Sequence, residues 1–202
     1  MSDWKSEEIV LASASPRRAQ LLSDMGFKYV QYPANKPELE LSEGPARGVA
    51  LKIAKAKARA VYEELGRPDK MILAADTIVV LDGRIMGKPA NEKDAYRMLA
   101  RLSGKKHEVI TAVSLIYKGK TYSFASSTTV LFREMLHDEV LYYIEHYRPM
   151  DKAGAYAIQE WIGMCKIAHI EGSYTNVMGL PTEKVYTFIR HLMEKGRVEE
   201  TK

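Results

Sequence analysis

Apolar positions along this chain recur with two different periods. Residues 9–12 form a short unbroken apolar run of the kind a buried strand shows. Ser15-Pro16 follows at once and opens a helix that runs to about Met25, with Gly26 in the C-terminal stop position. Residues 45–65 read as a long helix closed by Gly66. Met71–Leu81 is an apolar strand interrupted by one acid, and it turns at Asp82-Gly83 into a short partner, Arg84–Met86. Residues 91–102 have the spacing of an amphipathic helix, and the β-branched runs 109–117 and 122–132 flank a Lys118-Gly119 turn. That pair predicts the antiparallel centre of a sheet. His137–Tyr147 predicts a helix, residues 153–178 irregular chain with short strands, and residues 182–195 a closing helix. The order predicts a mixed α/β (α+β) fold in a single domain over residues 1–202, without regular βαβ alternation.

Composition narrows the class. With 46% apolar and 28% charged residues, the chain has the make-up of a soluble globular protein rather than a disordered or membrane one. No apolar run approaches the roughly 20 residues that span a bilayer, and the first is too short for a signal-peptide core, so a cytoplasmic location is expected. The single cysteine, Cys165, has no partner for a disulfide and none at zinc spacing, which fits a reducing compartment. A net charge of +4 favours anionic partners. The basic residues are scattered among the acids rather than gathered in blocks, so a small phosphorylated ligand accounts for the balance as well as nucleic acid does.

Four segments carry candidate chemistry. In Ser13-Ala14-Ser15-Pro16-Arg17-Arg18, Ser15 suits a helix cap and Pro16 a first turn. The two arginines oppose the helix dipole by about 0.3–1 kcal/mol each unless an anion sits between them and the free amides. A phosphate chain is such an anion; a solvent-exposed cap is the alternative. On the helix 45–65, Lys57 falls on the apolar side with Ile53 and Val61, so it either snorkels out or meets an acid or a phosphate at a pocket edge. Asp76 interrupts the strand 71–81 and requires a cation: it is a platform for a metal ligand or general base, or a structural acid paired inside the core. Lys88, in Gly87-Lys88-Pro89, adds a cation on a constrained loop and is equally a simple turn residue. The small residues 153–157, ending at Gln159, permit close approach either to a flat base or within a packed core. None of the five histidines stands at ligand spacing, and neither a P-loop nor a dinucleotide-binding glycine motif occurs.

Taken together, LASASPRR, AADTIVVLDGRIMGKP, LSGKKHEVITAVS, DKAGAYAIQ and NVMGLP resemble, in order and spacing, the Maf family of nucleoside triphosphate pyrophosphatases. The resemblance implies a fold akin to the inosine-triphosphate pyrophosphatases: a central mixed, largely antiparallel sheet flanked by helices, with two lobes around a cleft. It implies hydrolysis of a nucleoside triphosphate to monophosphate and pyrophosphate with Mg or Mn, in a homodimer without membrane or stable nucleic-acid contacts. Residue by residue, it makes Asp76 the proton acceptor and Ser13, Arg17, Arg18, Lys57 and Lys88 the phosphate-binding set. Arg18, Thr77 and Gln159 match the branch that prefers dTTP and UTP over 7-methyl-GTP. Glu38 and Asp76 are the implied metal ligands. Two positions depart from the family pattern: Pro37 stands where a second acid is common beside Glu38, and Glu160 where glycine often follows the glutamine. A pyrophosphatase of 7-methyl-GTP or another modified nucleotide is the alternative within the same fold, and a non-catalytic nucleic-acid-binding regulator of cell division is the alternative of another class; the latter has no use for carboxylates facing phosphates.

Overall fold

The computed structural model describes residues 7–33 and 44–200, with side chains as far as Glu194. The chain runs β1 (Glu8–Leu11), α1 (Pro16–Asp24), β2 (Lys28–Gln31), α2 (Ala46–Glu64), β3 (Met71–Leu81), β4 (Arg84–Met86), α3 (Glu92–Leu102), β5 (Lys106–Tyr117), β6 (Lys120–Phe132) and α4 (His137–Tyr147). Two 3-10 turns, Pro149–Asp151 and Ala153–Ala155, lead to α5 (Trp161–Lys166), β7 (Ile167–Glu171), α6 (Tyr174–Met178) and α7 (Thr182–Glu200). The described strands make one sheet in the order β2-β1-β3-β5-β6-β7, with β4 paired to β3 off that path. β1 is parallel to β2 and β3, and the other pairings are antiparallel. The expected mixed, largely antiparallel sheet is therefore present.

The two hairpins turn where the sequence says they should. Asp82-Gly83 has φ of 51° and 73°, and Lys118-Gly119 has 47° and 74°, the paired positive angles that two-residue hairpins demand. Other expectations are corrected. β2 has no counterpart in the apolar pattern because three of its four residues are exposed. β5 and β6 begin at Lys106 and Lys120, ahead of their apolar runs, because ladder pairing extends past the buried portion. Residues 153–178 hold two short helices and one strand rather than several strands.

β3 organises the core. Its even-numbered residues Ile72, Ala74 and Ile78 face α2, whose buried stripe is Val49, Ala50, Ile53, Ala54, Ala58, Val61 and Tyr62. The odd-numbered residues carry two separate apolar clusters on the opposite face. Met71, Leu73 and Ala75 pack with α1 and α7, whereas Val79 and Leu81 pack with α3, α4 and α5. Between the clusters, Thr77, Thr111 and Ser126 stand in register across β3, β5 and β6. This polar row marks a cleft between two apolar masses that share one sheet.

β1 pairs with Met71, Ile72 and Leu73, and β4 with Val79, Val80 and Leu81, both on the side of β3 away from β5. No described strand pairs with residues 74–78 along that edge. The acid of the strand, Asp76, lies in the middle of this opening.

His107 on β5 is 3% exposed, stacks on Phe132 with ring centroids 5.2 Å apart, and meets the Tyr156 hydroxyl at 2.7 Å from Nε2. Burial lowers its pKa to about 4 from 6.5. A lowered imidazole pKa means that the unfolded chain takes up the proton first, so stability is complete above pH 6.5 and falls as the pH drops toward 4. Chemical denaturation across that window should show a loss of up to about 1.4 kcal/mol per pH unit from this group. His107→Gln should flatten that part of the profile.

Candidate active site

A cavity of about 840 Å³ opens beside the unpaired stretch of β3, within the size range of small-molecule sites. Its walls come from residues 12–18, from α2, from the middle of β3, from residues 151–153 and Tyr156, and from residues 177–179. Six cationic side chains line it, Arg17, Arg18, Lys57, Arg59, Lys88 and Lys152, against the carboxylates of Glu63, Asp76 and Asp151. The surplus of positive charge suits a polyanion.

The start of α1 is built as the sequence suggests. The Ser15 side chain accepts from the Arg18 backbone N–H at 3.5 Å, Pro16 occupies the first turn, and that turn holds no acid. The arginine charges find partners in the tertiary fold instead. Arg18 folds back so that Nε donates to the Gly179 carbonyl at 2.8 Å, Nη1 to Ser13 Oγ at 3.1 Å and Nη2 to Thr77 Oγ1 at 3.0 Å. It thereby ties α1 to β3 and to the end of α6. Gly179 has φ +116°, a backbone conformation that side-chain-bearing residues rarely adopt, and that conformation presents its carbonyl to the guanidinium. Arg17 reaches toward Asp151, 3.8 Å away.

On the opposite face of β3, Lys57 Nζ lies 2.6 Å from Asp76 Oδ1, with the two side chains 24% and 14% exposed. Of the readings open for Lys57, the fold supplies the acid partner. The ammonium fixes the orientation of the carboxylate while engaging one oxygen, which leaves Oδ2 for another contact.

Sequence reasoning missed Lys152. This lysine is 8% exposed, with Nζ 2.8 Å from Asp151 Oδ1 and 3.5 Å from Glu160 Oε1. The Tyr143 hydroxyl donates to Glu160 Oε2 and accepts from the Ala157 N–H at 3.1 Å. Burial first, and then the bond to Glu160, push the Tyr143 pKa well above its usual range. Burial acts to raise the Asp151 pKa, but Lys152 and then Arg17 outweigh it and hold the carboxyl low. Arg17, Asp151, Lys152, Glu160 and Tyr143 thus form one polar chain that runs from the cavity wall into the core. The only sequence signal was Asp151-Lys152 standing directly before the small-residue run.

The remaining candidates are distributed unevenly. Ser13 is buried and Lys88 exposed, and both line the cavity. The small residues 153–157 do allow a close approach, but to protein: a Cβ on Gly154 would lie 3.1 Å from the Val79 methyls, and its N–H donates to the Gly87 carbonyl at 3.0 Å. That bond holds the Lys88 loop against the cavity. Gln159 is half-buried and is not among the lining residues, and its Oε1 has no partner among the described residues. Glu38 lies outside the described residues. Among the described residues no three acids, histidines or cysteines converge on a metal position. Asp76, with Oδ2 not engaged by Lys57, can contribute a carboxylate oxygen to a metal whose other ligands are phosphate oxygens.

A family model described as Maf-like protein matches residues 8–192. The chain belongs to the Maf-like family. Its relatives include the dTTP/UTP pyrophosphatase of Phocaeicola vulgatus, 50% identical over 193 residues, which covers 95% of this chain and 100% of that one. The dTTP/UTP pyrophosphatase of Bacteroides fragilis is 44% identical over 92% of this chain and 96% of its own length. That of Porphyromonas gingivalis is 40% identical over 97% and 100%. The solved structure of the Staphylococcus aureus Ham1 protein is a looser likeness, with a TM-score of 0.39 and 16% identity over 62% of this chain and 72% of that one.

In this Maf-like chain that polar network also carries stability. Lys152→Ala strands Glu160, whose side chain is 19% exposed, beside a buried tyrosine. The expected loss is about 3 kcal/mol in urea denaturation, the lower end for breaking a buried pair. Arg17→Ala, whose partner Asp151 has a side chain 65% exposed, should leave the denaturation midpoint within error of the parent.

Proposed function

We propose that this Maf-like chain hydrolyses dTTP and UTP to the nucleoside monophosphate and pyrophosphate. One observation carries the reading: the Lys57–Asp76 pair opens onto the same cavity as Arg17, Lys88 and Lys152, though these residues are far apart in sequence. The names of relatives 40–50% identical along nearly the whole chain supply the substrates.

The chemistry follows from what each group can do. Asp76 Oδ2 orients a water toward the α-phosphorus and takes its proton, while Lys57 holds Oδ1 still. The water oxygen bonds to that phosphorus, the anhydride bond between the α- and β-phosphates breaks, and pyrophosphate leaves with the bridging oxygen. Arg17, Lys88 and Lys152 offset the charge that gathers on the leaving group. A divalent cation, Mg or Mn, held by phosphate oxygens with Asp76 and Glu38, would supply further charge neutralisation and polarise the attacked phosphorus. No covalent intermediate is required.

Pyrophosphate release from dTTP, UTP and 7-methyl-GTP, each with Mg or Mn, tests this reading. Turnover of dTTP and UTP well above 7-methyl-GTP is expected; no turnover of either pyrimidine nucleotide with either metal removes the proposal. Asp76→Asn should lower kcat by about 100-fold or more with nucleotide binding retained. An Asn variant as fast as the parent takes Asp76 out of the mechanism.

A further inference from the structure

Lys152 is buried beside two carboxylates of different kinds. Asp151, its chain neighbour, meets Nζ at 2.8 Å and has a side chain 65% exposed. Glu160, 3.5 Å from the same ammonium, has a side chain 19% exposed and is fastened from behind. The Tyr143 hydroxyl, itself in the core, donates to Glu160 Oε2; burial and then that bond raise its pKa, so the hydrogen stays in place. The backbone is fixed as well. Glu160 opens α5, and its carbonyl accepts from the Gly163 and Met164 N–H groups at 2.9 and 3.3 Å. A Cβ on Gly163 would come 1.7 Å from the Ile158 carbonyl oxygen, so glycine lets α5 close down on the loop that carries Glu160. Asp151 is free to turn out into water, and Glu160 is not.

Lys152 lines the cavity whereas Glu160 and Tyr143 do not, so Glu160 acts on a ligand only through the lysine. Arg17 and Lys152 bring two positive charges and Asp151 and Glu160 two negative ones, so the group is neutral before a ligand arrives. A phosphate chain that pushes Asp151 aside gains both cations, but it still meets the fixed charge behind Lys152. This matters at the end of the reaction. The bridging oxygen leaves with pyrophosphate and carries a negative charge that the substrate lacked there, and cations that stabilise a departing charge also hold the departed product. We propose that Glu160 is a positioning residue for Lys152, a fixed counter-charge that weakens the hold of that ammonium on pyrophosphate and so lets the product leave. The inference rests on the pyrophosphohydrolase reading above. It gives a use to the acid that stands where the family resemblance expects glycine.

The two products separate a charge effect from a structural one, because the reading above sets Lys152 against pyrophosphate and not against the monophosphate. Conversion of labelled UTP to labelled UMP is followed with Mg and increasing pyrophosphate or unlabelled UMP, for the parent, Glu160→Gln and Asp151→Asn. Glu160→Gln keeps the size of the side chain and an acceptor for Tyr143 while removing the charge. Its inhibition constant for pyrophosphate should fall at least about tenfold, with that for UMP within about twofold of the parent. Asp151→Asn should move the pyrophosphate constant much less, since an exposed carboxylate is screened and turns away. A role confined to stability would move both constants together or neither. A pyrophosphate constant unchanged or raised in a folded Glu160→Gln, a parallel change for UMP, or an equal effect of Asp151→Asn overturns this inference alone. Failure of the parent to cleave UTP overturns the functional reading with it. Should Glu160→Gln not fold, Glu160→Gly, the residue the resemblance expects there, takes its place in the same assay.

Discussion

β3 is eleven residues long, and along one edge its neighbours cover only its first three residues and its last three. β1 cannot extend to close that edge. After Leu11 the chain turns back on itself, with the Ser13 N–H donating to the Leu11 carbonyl at 2.9 Å, and Pro16 then commits it to a helix. A strand edge left open inside a fold leaves polar groups that must be met by something other than a ladder. What surrounds the opening reflects this. Arg18 reaches in from one face and Lys57 from the other, and each ends on a side chain of the exposed stretch.

The two faces solve different electrostatic problems. On the α2 face, one ammonium meets one carboxylate, so the pair is local and its geometry is set by how the helix lies on the sheet. From the cavity wall inward the charges alternate from Arg17 to Asp151 to Lys152 to Glu160, and a tyrosine hydroxyl closes the series. Asp151, Lys152 and Glu160 each have more than one partner there, which spreads the desolvation cost of burying Lys152 over several groups. Glu160, a departure from the expected glycine, is part of that network and not a loose addition to it.

Local chemistry was legible in the sequence and long-range partnership was not. The Asp82-Gly83 and Lys118-Gly119 turns, the Ser15 cap and the Gly26 stop could be read because turn and cap geometry is decided within a few residues. Asp76 stood out because an acid in an apolar strand is costly wherever it occurs, so the need for a cation could be inferred, but not that Lys57 would meet it. Arg18 was recognisable as misplaced against the helix dipole, yet its acceptors lie as far away as Gly179. β2 gave no signal because an exposed edge strand needs no apolar run. Lys152 gave almost none, since its burial depends on Glu160 and Tyr143 arriving from other elements.

The contact between α2 and the sheet is made largely of methyl groups. Ala50, Ala54 and Ala58 on the helix, all fully buried, face Ala74, Ala112 and Ala125 on the strands. Small residues on both surfaces set a short separation between helix axis and sheet, and Lys57 sits between two of those alanines in sequence. The reach of its ammonium is thus gauged by spacers that carry no charge and touch no ligand. A single added methylene at Ala54 or Ala58 would lift the helix like a shim under a hinge, and the chain could keep its shape while its ammonium no longer met its carboxylate.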